Sequence, residues 1–168
     1  IFEKATVSRE NYKAYIKGLG MGEGDIALFD FVAKGTSQMF LSHLVENHLT
    51  GFYFLQLEEE YMREKKLDIV PFYKKDEQED SAVFDNYYIM EIILSSPMPS
   101  VKGFTQQGKP IYVKETRKNK DIICLQCVQD GVYEFFKAYL EHCPRMEMVN
   151  NKKLDEAFLA LVHNIAII

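Results

Sequence analysis

The chain has 168 residues, 47% of them apolar and 27% charged, and its formal net charge is -5 at pH 7. This composition is typical of a globular domain that buries a core. The acidic balance argues against nucleic acid as a partner, because phosphate binding requires clustered lysine and arginine. No apolar stretch reaches the ~20 residues of a membrane-spanning helix, so we expect no membrane span.

The two ends of the chain and its cysteines bear on its context. The chain opens with "IFEKATVSRE" and ends with "LALVHNIAII", an apolar helical pattern without a polar tail. These ends predict a single α/β domain over residues 1–168, cut from a longer protein whose neighbouring domains are its partners. Three cysteines without a secretion signal indicate reduced thiols, and they predict a cytoplasmic location.

The first half of the chain gives the clearest structural pattern. An amphipathic spacing predicts a helix from about Ser8, which ends at the glycine-rich "GLGMGEG" (18–24). A strand over Asp25–Phe31, a helix from about Thr36 and a nearly continuous apolar strand at 50–57 follow. Strand, helix and strand within about thirty residues form a βαβ unit, which implies parallel pairing.

The second half of the chain gives weaker patterns. We expect a surface helix or loop at 57–66, a short strand at 67–73, a solvated loop at 74–80, a helix from about residue 81 to the prolines of 95–100, a strand at 108–115, a helix marked by 128–139 and a last helix marked by 154–165. Together these elements predict an α/β fold with a small, mostly parallel sheet flanked by helices.

The stretch "DIALFDFVAKGTSQ" (25–38) is the best candidate for a binding site. A helix N-terminus presents free N–H groups, so a glycine-threonine-serine turn there can hold a phosphate. Gly35 would let a ligand approach the backbone, while Thr36 and Ser37 would supply hydroxyls. Asp30 falls at the carboxyl end of the predicted strand, where open α/β sheets bind ligands. The alternative is that Gly35 is only a turn residue and Thr36 a helix cap.

Three sharper interpretations of this stretch are excluded. A Walker loop needs a lysine after its second glycine, but Lys34 precedes the only glycine. An aspartyl phosphatase of the haloacid dehalogenase type needs a second aspartate two residues after Asp30, where this chain has Val32. The glycines of 18–24 follow a helix instead of opening one, so they do not form a dinucleotide fingerprint. No catalytic residue and no cofactor is therefore assigned.

Two further features of the sequence are candidate sites. Cys124 and Cys127 form a Cys-x-x-Cys pair, which suits a redox centre or a metal, but their apolar surroundings favour buried structural thiols. We therefore expect no metal site. Glu91 lies on a helix that is apolar almost all round, so it either pairs with a base such as Lys34 or Arg117 or lines a binding cleft.

Several segments together resemble one protein family. They are "YKAYIKGL", "D-x4-G-T-S-Q-x-x-L" (30–41), "GFYFLQL" and "YYIMEIILSSPMPSVKGFTQQGKPIY" (87–112). The chain, over residues 8–142, is similar to a region of large bacterial multidomain proteins described as predicted hydrolases of the haloacid dehalogenase superfamily. Those proteins are commonly encoded among surface-polysaccharide genes, and they are often fused or adjacent to glycosyltransferases.

The resemblance implies that this region is Rossmann-like and follows a phosphatase-like domain. The chain departs from the family at Val32, where the family often has glycine. The positions that match the family's motifs are Asp30, Gly35, Thr36, Gln38, Glu91, Ser96, Pro97 and Ser100.

Two hypotheses follow for the function. In the first, the domain belongs to a bacterial polysaccharide biosynthesis protein and binds a nucleotide-sugar or sugar-phosphate. Thr36 and Ser37 take the phosphate in this hypothesis, and Asp30 and Gln38 take the sugar hydroxyls. In the second, the domain is a non-catalytic module that positions a neighbouring phosphatase or glycosyltransferase domain. A closed turn around Gly35 would favour the second hypothesis.

Overall fold

The computed structural model describes residues 2–73, 75–142, 156, 157, 159 and 160. The chain divides into two compact units, one of residues 1–72 and 98–115 and the other of residues 73–97 and 116–168. That the two units form a single domain stays a prediction. Each unit is described by itself.

The first unit contains a parallel sheet, its helices and a separate hairpin. Its elements are α1 (Phe2–Gly18), β1 (Ile26–Ala33), α2 (Thr36–Ser42), β2 (Leu49–Gln56), α3 (Glu59–Glu64), β3 (Asp68–Pro71), β4 (Val101–Phe104) and β5 (Pro110–Tyr112). The helix α1 begins at Phe2 and not near Ser8, so the predicted start is wrong.

The sheet confirms the βαβ unit predicted from the sequence. Its strands lie in the order β1-β2-β3, and both neighbouring pairs are parallel. Ile26 lies opposite Leu49 at the start of β1, and Thr50 lies opposite Asp68 at the start of β3. The helices α2 and α3 connect successive strands. This part of the chain therefore has an α/β, Rossmann-like layered architecture.

The first strand is longer at its carboxyl end than the sequence predicted. It continues past Phe31 to Ala33, because Val32 and Ala33 still pair with β2. Asp30 therefore lies inside the strand, three residues before its end, which corresponds to about 10 Å at the usual rise of a strand. Asp30 is not at the carboxyl edge where open sheets bind ligands, so that part of the prediction is wrong.

The two faces of the sheet have different surroundings. On one face, Met62 of α3 packs against Tyr53 and Ala33, with Leu67 and Ile69 at the border of this small core. On the other face, the rings of Phe31, Phe54 and Phe72 stack in a row with centroids 4.7 Å apart at each step. The next row on that face, Phe29, Phe52 and Val70, is exposed to solvent. We call these six side chains the aromatic face.

The hairpin of β4 and β5 packs against α1. The two strands are antiparallel, which confirms the predicted strand near 108–115 and gives it a partner. The Phe104 ring stacks on Tyr15 and Tyr12, with centroids 4.4 and 4.9 Å away. Asn11 Nδ2 also donates to the Phe104 carbonyl at 2.8 Å. Aromatic stacking and this hydrogen bond thus hold the hairpin on the helix.

The second unit is helical where it is described. Its helices are α4 (Lys75–Glu79), α5 (Ala82–Asp85), α6 (Tyr87–Leu94) and α7 (Asn119–His142). The loop predicted at 74–80 is therefore partly helical, with Gln78 buried. Gln129 of α7 donates to the carbonyls of Ile93 and Ser95 at 2.7 and 2.8 Å, which fixes α7 to the end of α6.

The helix predicted from residue 81 is divided in two at Asn86. Ser81 Oγ accepts from the Phe84 N–H and caps α5, whereas the Asn86 amide donates to the Ala82 carbonyl. Asparagine side chains compete in this way with the helical backbone, which explains the break. Most of the predicted last helix at 154–165 lies outside the described residues; those described there, 156, 157, 159 and 160, are helical. Among all described helices, none is both long and apolar enough to cross a membrane.

Candidate functional site

The turn before α2 is built on Gly35. This glycine has a φ of 79°, in the left-handed region, and it is the N-cap of α2 without a side-chain cap. A Cβ added at Gly35 would lie 2.9 Å from both the Met62 Cγ and the Leu67 Cδ1 atoms. Glycine is therefore required both by the backbone angle and by the packing. The space beside Gly35 is filled by protein and not by an opening for a ligand.

Gln38 is buried, and both ends of its amide are used within the protein. Its Nε2 donates to the Asp68 carbonyl at 2.7 Å and to the Leu49 carbonyl at 3.0 Å. Its Oε1 accepts from the Tyr53 hydroxyl at 2.5 Å. One side chain of α2 thus joins the first residues of β2 and β3. We call this arrangement the Gln38 clamp.

The Gln38 clamp fits only because residue 51 of β2, which lies against the Gln38 amide, is glycine. A Cβ at Gly51 would lie 2.5 Å from Gln38 Oε1 and 2.9 Å from the Tyr53 ring. Real Cβ contacts are not this short, so the missing side chain provides the space that the amide occupies. Gly51 and Tyr53 were not recognised from the sequence as parts of this stretch.

Asp30 and Tyr53 are neighbours across the β1–β2 pair. Burial raises the pKa of the Asp30 carboxyl, although hydrogen bonds from the Val32 and Phe31 N–H groups oppose the rise. Burial and the charge of Asp30 raise the pKa of the Tyr53 hydroxyl to about 12. The tyrosine therefore keeps its proton and remains a donor to Gln38.

We expect the Tyr53 hydroxyl to make stability depend on alkaline pH. Its pKa rises from 10.0 to about 12 on folding, so between these values the unfolded chain releases the proton first. This contribution to the free energy of unfolding is complete below pH 10.0 and is lost as the pH rises to about 12. Denaturant titrations of wild type and Tyr53→Phe over this range measure it. If the free energy of unfolding of Tyr53→Phe declined as steeply as that of the wild type over this range, the pH dependence would not come from the Tyr53 hydroxyl.

Within the first unit, the predicted site residues differ in their surroundings. Gln38 of α2 accepts a hydrogen bond from Tyr53 of β2, and Asp30 of β1 lies beside Tyr53 across the strand pair. Thr36 and Ser37 are exposed at the start of α2, and neither hydroxyl makes a hydrogen bond with another described residue. Glu91 belongs to the second unit, where it is exposed on α6. Within the first unit, Thr36 and Ser37 therefore offer two free hydroxyls, whereas Gln38 is engaged by other protein groups.

Comparison with known proteins gives no assignment. No family model, curated protein or solved structure matches the chain. The function is therefore argued from the chain's own residues.

The cysteine pair differs from the expectation of buried thiols. Cys124 and Cys127 are free and exposed on α7, so the prediction that they are buried is wrong. The helix begins at Asn119, so its first turn lies before both thiols. Their position therefore differs from the thioredoxin arrangement, in which the Cys-x-x-Cys pair opens the helix. No group of three or more potential metal ligands occurs within the described residues.

A polar cluster stands at the amino-terminal edge of the sheet, beside the aromatic face. Thr50 Oγ1 donates to Asp68 Oδ2 at 2.6 Å, and His48 Nε2 lies 2.9 Å from the same oxygen. The hydrogen bonds from Thr50 and His48 lower the pKa of Asp68. The cluster is exposed to solvent, and it places the Asp68 carboxylate at one end of the aromatic face.

Proposed function

We propose that this chain is a non-catalytic interaction module that positions a neighbouring domain in a protein of bacterial surface-polysaccharide assembly. The resemblance to a region of multidomain proteins supports this context, with a phosphatase or glycosyltransferase domain as the neighbour and the cytoplasm as the location. The observation that carries the proposal is the aromatic face of the parallel sheet.

The aromatic face is unusual for a parallel sheet. Parallel sheets are normally covered on both faces, because the crossover helices lie there. Here Met62 of α3 and Gln38 of α2 lie on the Tyr53 side only. On the other side, Phe29 and Phe52 are 66% and 41% exposed, beside an apolar depression of ≈ 380 Å³. Contiguous apolar surfaces of this kind mark sites of protein association.

The closed turn supports an interaction module over a ligand-binding enzyme. Two of the residues predicted for a ligand site are engaged in the protein itself, since Met62 and Leu67 fill the space beside Gly35 and Gln38 forms its clamp. A ligand would have to displace these contacts before it could bind there. The aromatic face needs no such rearrangement, because four of its six side chains, Phe29, Phe52, Val70 and Phe72, are already exposed.

The absence of tryptophan from the sequence allows a direct test. We expect an indole introduced by Phe52→Trp to fluoresce at long wavelength in the 168-residue chain. It should shift to shorter wavelength and resist acrylamide quenching when the chain is expressed with the segments that flank it in its gene. The matched control is Phe40→Trp, because Phe40 is 63% exposed but lies on α2. Equal quenching in the short and long polypeptides would refute the proposal.

A second function keeps the sugar-phosphate or nucleotide-sugar ligand. The free hydroxyls of Thr36 and Ser37 favour it, because they stand together at the start of α2. Calorimetric titration of the wild type with nucleotide-sugars measures it, with Thr36→Val/Ser37→Ala as the matched variant. Heat from the wild type that is lost in the variant would support ligand binding. No heat at millimolar ligand would reject it.

A further inference from the structure

The outer edge of β1 is open in the described part of the chain. This strand pairs with β2 alone, although it is eight residues long and contains no proline. The Ile26 N–H donates to the His48 carbonyl next to β2, so the N–H groups of Ala27 and Phe29 point to the outer edge, whereas the Phe31 N–H is hydrogen-bonded to the Asp30 carboxylate. An unpaired edge of this kind is a template for another strand.

The opposite edge of the sheet lacks these properties. The strand β3 has only four residues and ends at Pro71, which has no N–H group to donate. Short strands and edge prolines are common means of preventing a sheet from growing. The sheet can therefore be extended at β1 more readily than at β3.

We propose that β1 pairs antiparallel with β1 of a second copy of this chain, with Phe29 at the two-fold axis, to form a continuous six-stranded sheet. A strand that pairs with itself about a two-fold axis is automatically self-complementary. Phe29 then lies opposite its own copy, and Ala27 lies opposite the partner's Phe31. The Phe29 pair at the axis exchanges two backbone hydrogen bonds.

The charges on β1 favour this register. With Phe29 at the axis, Asp30 lies opposite Leu28 of the second copy, so the two carboxylates are not paired. A shift that puts Asp30 at the axis would place like charges directly opposite each other, with Cα atoms about 4.5 Å apart. The strand carries no other charged residue. The Asp30 side chain therefore favours the register with Phe29 at the axis over the register with Asp30 at the axis.

This arrangement does not depend on the proposed function. The two-fold axis is perpendicular to the sheet, so both aromatic faces remain open on the same side of the dimer. The edge uses the backbone of Phe29 and Phe31, whose side chains belong to the aromatic face, so the two proposals are separated by their measurements: the fluorescence of Phe52→Trp reports on the face, and the mass of the chain reports on the edge. Either proposal can fail without the other.

The oligomeric state tests the edge. Light scattering over a concentration series should show the mass of the 168-residue chain rising from 19.6 kDa towards twice that value. Phe29→Lys places like charges together at the axis and should weaken association by about tenfold or more. Phe40→Lys is the matched control, with similar exposure on α2, and should dimerise like the wild type. A wild type that stays at 19.6 kDa at every concentration would overturn the proposal.

A cross-link tests the register. Paired residues at the axis have Cα atoms about 5.5 Å apart, which a disulfide can span. In a background with Cys124, Cys127 and Cys143 replaced by serine, Phe29→Cys should oxidise to a covalent dimer, whereas Phe40→Cys should not. A dimer that survives Phe29→Lys, or that gives no cross-link through Phe29→Cys, would use another surface and would also overturn the proposal.

Discussion

Replacing Gly51 by alanine should lower the free energy of unfolding by about 3 kcal/mol, at the upper end of the usual cost of overpacking. The new methyl would meet Gln38 Oε1 at 2.5 Å and the Tyr53 ring at 2.9 Å. Neither group can move without losing the hydrogen bond that joins them. Thermal unfolding should show a loss of about 10 °C in Tm for a chain of this size.

The matched control for Gly51→Ala is Gly103→Ala. Gly103 also lies in a strand, β4, but a Cβ there meets no atom within 4 Å. Its replacement should leave Tm nearly unchanged, since no packing is disturbed. If the two variants were equally stable, the packing of Gln38 over Gly51 would be wrong.

Replacing Gln38 by methionine should cost about 3 kcal/mol, because a buried polar group that loses its partner costs about 1–3 kcal/mol. Methionine keeps the length of the side chain and its helix propensity, but it cannot hydrogen-bond to Tyr53 or to the Asp68 and Leu49 carbonyls. Denaturant titration measures the loss. Neither the exposure of α2 nor its charge changes in this variant.

Gln129→Met provides the control for the loss of an amide. Gln129 also donates to two backbone carbonyls, but its contacts are only partly buried or exposed. Water can replace these bonds, so we expect a loss below about 1 kcal/mol.

The coupling between Gln38 and Gly51 is tested with Gln38→Ala, which removes the amide oxygen that the methyl of Gly51→Ala would contact. In that background Gly51→Ala should cost less, whereas full additivity would show that the two sites are independent.

The strands of the sheet were predictable because their apolar character is local in the sequence. The nearly continuous apolar runs at 25–31 and 50–57 predict parallel strands, and the chain between them is the right length for a crossover. The parallel pairing is confirmed, but the burial on both faces expected of the second strand is wrong, since Phe52 is exposed. The end of β1 was placed too early, because Val32 and Ala33 were assigned to a turn. Pairing with β2, which the sequence does not show, keeps them in the strand.

The structural role of Gln38 was not predictable either, because its partners are also distant in the sequence. Gln38 looked like a ligand group, since glutamine near a helix start is normally exposed. Its burial depends on the space above Gly51, thirteen residues later, and on carbonyls in two strands. The exposure of Cys124 and Cys127 was not predictable for a different reason. Their apolar neighbours on α7, Ile123 and Val128, are themselves exposed, so an apolar sequence did not indicate a buried helix.

The Gln38 clamp also has a consequence for how the sheet opens. Because one amide holds α2, the start of β2 and the start of β3, none of these segments can separate without breaking a buried or partly buried hydrogen bond. Their backbone amides should therefore exchange with deuterium as one cooperative group, at a rate set by a shared opening. The hairpin of β4 and β5 makes no bond to the clamp and should exchange at a rate of its own. In Gln38→Met, the amides of α2 should exchange faster than those of β2, dividing the one group into two.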